Sequence, residues 1–199
     1  LDTADMYGWG HNEEVVGRAI KGLRNKVVLA TKFGQVKGEG GANTVDGRPA
    51  YVRQACEASL KRLGTDYIDV YYMHKEDLTV PLAESVMAMG DLMRQGKIRY
   101  FALSNFRSWR VAEVANLCDE LGIPRPAASQ PYYNAFNRMP EVEHLPACRF
   151  YGLGVVPYSP LARGVLTGKY APDAAPDKNT RAGRADKRMM QTEWRPESL

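Results

Sequence analysis

The 199-residue sequence predicts an α/β fold made of parallel β/α units, and three observations support this. Short apolar segments alternate with helical patterns six times, at about 30 residues per unit. Residues 26–33 (KVVLATKF) are apolar almost throughout, as expected of a strand that is buried on both faces. Several apolar segments end on a polar side chain, which is typical of chemistry at the carboxyl ends of parallel strands.

The first two helices are predicted from the spacing of their apolar residues. The first begins at Asn12, a preferred N-cap residue, so that Glu13 and Glu14 occupy the first turn. Its buried stripe consists of Val15, Val16, Ala19, Ile20 and Leu23. The second spans 51–63 and ends at Gly64. Its buried face consists of Val52, Ala55, Cys56, Ser59, Leu60 and Leu63.

The other elements follow the same rhythm. Helices are predicted from Pro81 to Gly96, at 109–121 and at 140–150, and strands at 67–73, 98–103, 127–129 and 154–157. Residues 35–50 are rich in glycine but lack the Gly-Lys-Ser/Thr of a phosphate-binding loop, so a mobile rim loop is predicted. Residues 171–199 are predicted to be a long polar surface loop, with disorder as the alternative.

Two architectures contain parallel β/α units, and the polar strand ends favour one of them. A doubly wound sheet usually carries Gly-x-Gly-x-x-Gly after a strand, and the sequence has none. Each predicted strand is followed by one polar residue of a set: Asp2, Lys32, His74, Asn105, Gln130 and Tyr158. We therefore predict one (β/α)8 TIM-barrel domain over 1–199. Because such a barrel needs about 250 residues, we expect it to be incomplete at both ends of this chain.

Composition narrows the function classes. With 44% hydrophobic and 25% charged residues, the chain is typical of a globular domain, and its net charge of +4 suits an anionic ligand. A nucleic-acid binder usually clusters its basic residues far more. No apolar run is long enough for membrane insertion. Cys56, Cys118 and Cys148 are widely spaced, which is typical of reduced thiols and favours a cytoplasmic location.

Four side chains suggest acid catalysis on a carbonyl group. An ammonium group on Lys32, held by Asp2, would lower the pKa of the Tyr7 phenol, and His74 would orient the carbonyl oxygen. No side chain supplies a hydride, so a reduction would require a nicotinamide cofactor. Spacing alone leaves a Schiff-base lyase using Lys32 open as the alternative. The spacing of histidines and serines favours neither a metal site nor a serine nucleophile.

A set of motifs in a fixed order resembles the aldo-keto reductase family, from residue 1 to about residue 170. The motifs are Asp2-Thr3-Ala4 with Tyr7-Gly8 and Glu13-Glu14, Thr31-Lys32, Tyr71-Tyr72-Met73-His74, Ser104-Asn105-Phe106, Gln130-Pro131-Tyr132-Tyr133-Asn134, and Tyr158-Ser159-Pro160-Leu161 through Tyr170. The sequence is most similar to the bacterial branch that also resembles the β-subunits of voltage-gated potassium channels. That resemblance keeps open a regulatory or redox-sensing subunit with little catalytic flux.

The resemblance implies a function and a set of roles. It implies a reductase of small aldehydes or ketones that uses NADP, with NADPH more usual than NADH, and it leaves a homo-oligomer open. Tyr7 would donate the proton, supported by Asp2 and Lys32, and His74 would orient the carbonyl group. The implied cofactor-binding residues are Ser104, Asn105 and Gln130 at the carboxamide, Tyr158 stacked on the nicotinamide, and Ser159, Leu161, Gly164 and Leu166 over the pyrophosphate.

Two features qualify what the resemblance implies. The channel-subunit branch commonly carries another residue at the position of His74, so this histidine favours a working reductase. Lys75 stands where an arginine or an aromatic residue is more usual, which leaves the substrate open.

Four basic residues near the end of the chain are expected to form a solvated surface rather than a phosphate contact. They are Arg181, Arg184, Lys187 and Arg188.

Overall fold

The computed structural model of the chain describes residues 1–171, 175–195 and 198, with the side chain of Glu39 not described. Its helices are α1 His11–Ala19, α2 Pro49–Leu63, α3 Leu82–Arg94, α4 Ser108–Leu121, α5 His144–Tyr151 and α6 Lys187–Thr192. Its strands are β1 Ala30–Phe33, β2 Gln35–Lys37, β3 Asn43–Val45, β4 Ile68–Met73, β5 Ile98–Ser104, β6 Ala128–Gln130 and β7 Gly154–Val155. Among the described residues, no helix has the length and apolarity needed to cross a membrane.

Five strands form one parallel sheet in the order β1-β4-β5-β6-β7. These five strands have the same order in the sheet as in the chain. The sheet therefore lacks the reversal of strand order that marks a doubly wound fold. A parallel bridge between Asp2 and Ala30 adds the N-terminal segment next to β1, and one between Tyr132 and Tyr158 extends the other edge. This progression is that of a barrel wall, as the polar strand ends predicted.

The two faces of the sheet bury different side chains because successive residues of a strand point in opposite directions. One face packs against α2, α3 and α4 and holds the main core, which includes Phe33, Tyr71 and Phe101. The opposite face holds a small cluster of Ala30, Tyr72 and Ala102, with Ala128 half-buried against it. Residues two positions beyond the members of this face therefore point into the same interior at the carboxyl ends of the strands. They are Lys32, His74, Ser104 and Gln130.

The helices from α2 to α4 agree with the sequence predictions. The buried residues of α2 are the six predicted ones, Val52, Ala55, Cys56, Ser59, Leu60 and Leu63. Gly64 and Gly122 end α2 and α4 in the left-handed conformation that glycine adopts without strain. The helix α3 begins directly after Pro81. The predicted helix at 140–150 begins later, because a 3-10 turn over Met139–Glu141 precedes α5.

The buried stripe predicted for α1 is wrong. Of its members only Ile20 is fully buried, while Val15, Ala19 and Leu23 are exposed. Val16 is half-buried and packs against the main core, and the fully buried residue of α1 is Glu13, which has no exposed surface. The helix also begins at His11 rather than at Asn12, because Asn12 uses its side-chain oxygen to accept a hydrogen bond from the Thr3 hydroxyl at 2.6 Å.

Two segments predicted to be loops contain regular structure. Strands β2 and β3 pair as an antiparallel hairpin within 35–50. The C-terminal segment contains α6 and a second small core made of Ala162, Val165, Tyr170, Ala182 and Met189. The prediction of a polar loop over 171–199 is therefore wrong for 187–192. Residues 172–174, 196, 197 and 199, which that prediction also covered, lie outside the described residues.

Candidate active site

Lys32 is fully buried at the end of β1, and its ammonium group has two partners. Its Nζ donates to Asp2 Oδ2 at 2.7 Å and to the Thr3 carbonyl at 2.7 Å. The adjacent bridge between Asp2 and Ala30 brings the N-terminal segment to this position. Lys32 Nζ also lies 5.3 Å from the centroid of the Tyr7 ring and 5.6 Å from that of Tyr72. Asp2, Tyr7 and Lys32 thus form one cluster.

His74 lies beside this cluster, after the last residue of β4. Its ring centroid is 6.0 Å from that of Tyr7, and the two rings are nearly perpendicular. Burial lowers the pKa of His74 to about 4, and the positive charges of Lys32 and Arg188 act in the same direction. Its Nδ1 is buried without a hydrogen-bond partner among the described residues. His74 is therefore an uncharged imidazole at neutral pH.

The expected lowering of the Tyr7 pKa does not appear. The pKa of Tyr7 is raised, first because partial burial disfavours the phenolate, although 41% of the residue stays exposed, and then because of the negative charge of Asp2. Burial also lowers the pKa of Lys32, against the opposing effect of Asp2. Asp2 therefore holds the ammonium of Lys32 but works against the phenolate of Tyr7. At neutral pH the Tyr7 hydroxyl carries its proton.

The ends of β5 and β6 and the segment after β7 form the other side of the site. The Ser104 hydroxyl donates to the Gln130 carbonyl at 3.0 Å. The Asn105 amide donates to the His74 carbonyl at 2.9 Å and to the Ser104 hydroxyl at 3.1 Å. Its oxygen accepts from the Tyr158 hydroxyl at 2.9 Å. Asn105 has a left-handed backbone with φ of 59°, which brings its side chain back across the strand ends.

Tyr158 begins a strained segment that turns at the rim of the site. One face of its ring is covered by Tyr132, with 5.4 Å between ring centroids, so one face is left for another flat ring. Positive φ angles follow at Ser159, Ala162, Arg163 and Gly164. Ser159 is fixed because its carbonyl accepts a hydrogen bond from the Asn134 amide at 3.0 Å. Such strain needs support from the surrounding structure.

The buried carboxylate of Glu193 supplies that support from the C-terminal segment. It accepts hydrogen bonds from Arg163 Nε at 2.7 Å and from the Tyr132 hydroxyl at 2.5 Å. The Thr192 hydroxyl is a further donor. Both Arg163 and Glu193 are almost inaccessible to solvent. The C-terminal segment is therefore fastened to the rim of the site by a buried ion pair.

These residues surround one cavity of about 620 Å³. Its lining includes Tyr7, His74, Ser104, Asn105, Gln130, Tyr158 and Ser159 of the predicted site. Asp2 and Lys32 lie behind Tyr7. Leu161, Gly164 and Leu166 are not among the described lining residues, and Arg163 from the same segment lines the cavity instead.

Several other residues of this cavity were not predicted from the sequence. Gln35 and Asn43 come from the β2–β3 hairpin that was predicted to be a loop, and Met6 precedes Tyr7. Arg181 and Arg188, expected to be solvated, line the cavity together with Arg163. The basic composition of 181–188 was the available signal, but it does not reveal that the segment folds back over the barrel.

Comparison with known proteins identifies the family of the chain. The model of the aldo/keto reductase family matches residues 1–196. The chain belongs to the aldo/keto reductase family. It is 39% identical over 181 residues to a probable aldo-keto reductase 1 from Glycine max, an alignment that covers 90% of this chain and 51% of that protein.

Solved structures of aldo-keto reductases have the same fold. An aldo/keto reductase from Klebsiella pneumoniae in complex with NADP and acetate is 38% identical, with a TM-score of 0.71 over 82% of this chain and 53% of that one. The glycerol dehydrogenase AKR11B4 from Gluconobacter oxydans is 35% identical, with a TM-score of 0.77 over 92% of this chain and 56% of that one. The chain spans about half the length of these relatives, and its TIM barrel is not closed.

The surroundings of Lys32 disfavour the lyase that spacing alone left open. A Schiff-base lysine must present an uncharged amine to a carbonyl carbon. In this member of the aldo/keto reductase family, Nζ of Lys32 donates to Asp2 and to the Thr3 carbonyl. Lys32 is also not among the described residues that line the cavity. Its geometry is that of a buried charge acting on its neighbours.

Proposed function

We propose that this chain carries the catalytic centre of an oxidoreductase that reduces aldehydes or ketones to alcohols with NADPH. The observation that carries the proposal is the arrangement of two groups of side chains around one cavity. Tyr7 and His74, backed by the Lys32–Asp2 pair, lie on one side, and Ser104, Asn105, Gln130 and Tyr158 lie on the other. The family of the chain supports the reaction class.

Tyr7 is the proposed proton donor. Reduction of a carbonyl places negative charge on its oxygen, and a nearby acid must neutralise that charge. Because its pKa is raised, Tyr7 is protonated before the reaction begins. Proton transfer leaves Tyr7 as a phenolate. The Lys32 ammonium, 5.3 Å from the centroid of the Tyr7 ring, stabilises that negative charge. Asp2 keeps that ammonium in place.

His74 is the proposed group that orients the carbonyl. An uncharged imidazole can donate one hydrogen bond without competing with Tyr7 for the role of acid. Since Nδ1 has no partner among the described residues, we infer that the proton is on Nε2 and available to a carbonyl oxygen. The edge-on packing of His74 against Tyr7 brings both donors to the same part of the cavity.

The far side of the cavity fits a nicotinamide nucleotide. When bound, NADPH supplies the hydride that no side chain can provide. Ser104, Asn105 and Gln130 offer hydroxyl and amide groups that match a carboxamide, and Tyr158 has one ring face left for stacking. The strained segment from Ser159 to Gly164 and the residues that follow it to Leu166 are the proposed cover of the pyrophosphate, with Leu161 and Leu166 as apolar members.

The cations of the cavity favour a phosphorylated cofactor. Arg163, Arg181 and Arg188 line it, and guanidinium groups bind phosphate oxygens in pairs of hydrogen bonds. Two aldo-keto reductase structures from Klebsiella pneumoniae, each 38% identical to this chain, were solved in complex with NADP and with NADPH. We therefore propose NADPH rather than NADH, and a small carbonyl compound as substrate.

A two-step measurement tests the proposal. Purified full-length protein is first titrated with NADPH and, separately, with NADH while the nicotinamide fluorescence is recorded. Cofactor oxidation is then followed at a fixed protein concentration with a panel of aldehydes and ketones. We expect tighter binding of NADPH and turnover of at least one carbonyl compound. Nicotinamide binding without turnover of any compound would contradict the reductase, and absence of binding would contradict the whole proposal.

A further inference from the structure

A buried ionic network lies on the outer side of Lys32, away from the candidate cavity. Glu13 of α1 has no exposed surface. One of its carboxylate oxygens accepts a hydrogen bond from the Thr31 hydroxyl at 2.6 Å, and the other accepts one from Arg62 Nε at 2.6 Å. Thr31 immediately precedes Lys32 in β1. Glu13 is thus a buried carboxyl group, paired with Arg62 and bound to the residue that precedes Lys32.

Arg62 also supports the loop that carries Tyr7. This side chain extends from α2 to Glu13 beneath residues 8–10. A Cβ atom at Gly10 would lie 2.7 Å from Cδ of Arg62, so the loop lies directly on the arginine. Gly10 has φ of 98°, which only glycine adopts readily. The Glu13–Arg62 pair therefore holds the Tyr7 loop from below.

Asp5 lies next to this network, and its carboxyl group forms no ion pair among the described residues. Its backbone amide donates to the Lys32 carbonyl at 3.1 Å. Its Oδ1 is buried, with no hydrogen-bond partner among the described residues. Burial and the charge of Glu13 raise the pKa of Asp5 to about 7. The Met6 amide, Arg62 and Tyr51 oppose that rise.

Asp5 can exchange its proton with solvent without using the candidate active site. It lines a separate cavity of about 340 Å³, together with Trp9, Lys37, Tyr51 and Arg62. The negative charge of Asp5 raises the pKa of Lys32 and so favours its ammonium form. The negative charge of Asp5 also acts on Tyr71 of β4. The buried hydroxyl of Tyr71 has no hydrogen-bond partner among the described residues.

We infer that Asp5, whose backbone amide binds the Lys32 carbonyl and whose buried Oδ1 has no partner among the described residues, is a positioning residue: its ionisation adds a second negative charge to the surroundings of Lys32 and helps to hold this lysine as an ammonium. The inference rests on the proposed function, because Lys32 acts there through Tyr7. When the Asp5 proton leaves for the outer cavity, Lys32 gains a counter-charge in addition to Asp2. The effect is largest when the reaction runs as alcohol oxidation, since Tyr7 must then accept a proton and its phenolate needs the ammonium.

The first experiment uses the unmodified protein and needs no activity. Carboxyl and lysine Cε signals are followed by NMR from pH 5 to pH 10 in protein labelled with 13C at Asp and Lys. The Lys32 and Asp5 signals are assigned by their loss in Lys32→Met and Asp5→Asn. We expect the Asp5 carboxyl to titrate near pH 7 and Lys32 Cε to show a secondary inflection at the same pH. A Lys32 signal without that inflection overturns the inference.

The second experiment compares Asp5→Asn with a matched control, Asp66→Asn, which removes an exposed carboxylate from the turn before β4. Asn imitates protonated Asp, so the variant is fixed in the uncharged form. In Asp5→Asn we expect the high-pH limb of kcat/KM for alcohol oxidation to move about one pH unit lower, because Lys32 loses its ammonium earlier. The Asp66→Asn profile should match that of the unmodified protein.

The two proposals fail in different ways. If the unmodified protein shows no nicotinamide-dependent turnover, the proposed function fails, and the Lys32 inflection still tests the coupling to Asp5. If turnover is present but Asp5→Asn and the unmodified protein have superimposable profiles, the inference fails and the proposed function stands. If Asp5→Asn does not fold, the Lys32 Cε titration of the unmodified protein decides, because that signal is assigned with Lys32→Met alone.

Discussion

Lys32 is fully buried, yet its partner Asp2 keeps 46% of its side chain exposed to solvent. The two members of this ion pair should therefore respond differently to removal. A carboxylate that loses its partner can be rehydrated, whereas a buried ammonium that loses its partner stays desolvated. Because of this difference in exposure, removing Lys32 should mainly affect catalysis, whereas removing Asp2 should also lower the stability of the folded protein.

Replacing Lys32 with Met should remove activity at little cost in stability. We expect turnover to fall by about 100-fold or more, since the Tyr7 phenolate loses its ammonium. The free energy of unfolding should change by less than about 2 kcal/mol, because Met fills a similar volume and Asp2 can bind water. Asp2→Ala should destabilise the protein more than Lys32→Met does. Urea unfolding of both variants gives the comparison, and the reverse order would contradict the asymmetry.

Replacing Tyr7 with Phe should separate chemistry from binding. The variant keeps the ring that packs against His74 but loses the proton donor. We expect turnover to fall by at least about 100-fold, while the Kd for NADPH changes by less than about threefold. Tyr100→Phe, which removes an exposed phenol on β5, is the control and should leave both values unchanged. Turnover retained in Tyr7→Phe would remove Tyr7 from the acid role.

The buried imidazole of His74 should make the protein less stable in mild acid. Its pKa is about 4 in the folded protein, whereas a solvated histidine has a pKa of 6.5, so the unfolded chain takes up a proton first. The stability contributed by the uncharged ring is complete above pH 6.5 and is lost as the pH falls from 6.5 towards 4. We expect unmodified protein to lose roughly 2–3 kcal/mol more than His74→Gln across this window. Parallel pH dependences of the two proteins would contradict this.

Much of the barrel wall could be predicted from the sequence because its signals are local. The buried face of α2 follows from a 3.6-residue period, and Gly64 and Gly122 mark helix ends by their conformational freedom. The positions of Lys32, His74, Ser104 and Gln130 follow from strand alternation once the strands end where they do. Their convergence on one cavity follows from parallel strands, whose carboxyl ends share one edge of the sheet.

The features that were missed depend on contacts between distant parts of the chain. Glu13 resembles a solvated helix residue until Thr31 and Arg62 are seen to bind it, 18 and 49 positions away. The raised pKa of Tyr7 depends on burial, which no local pattern reveals. Arg181 and Arg188 lie in a polar segment whose position is set by Glu193 rather than by its own composition.

That role of Glu193 gives a last prediction, for Glu193→Gln. The substitution keeps the shape of the side chain but leaves the guanidinium of Arg163 buried without its counter-charge, which should release the C-terminal segment from the rim. We expect the Kd for NADPH to rise about tenfold, because Arg181 and Arg188 are no longer held at the cavity. Trypsin should also cut faster after Arg181 and Arg184.

The control for this prediction is Gln191→Ala, which changes an exposed residue of α6, the helix that ends directly before Glu193, and should leave both measurements unchanged. Proteolysis and affinity together distinguish two explanations of any loss of binding. Weaker binding with unchanged proteolysis would mean that Glu193 acts only through Arg163, without fastening the segment. Faster proteolysis with unchanged affinity would mean that the two arginines do not contribute to cofactor binding. Only the combined change supports a segment that must stay fastened for its arginines to reach the phosphate groups.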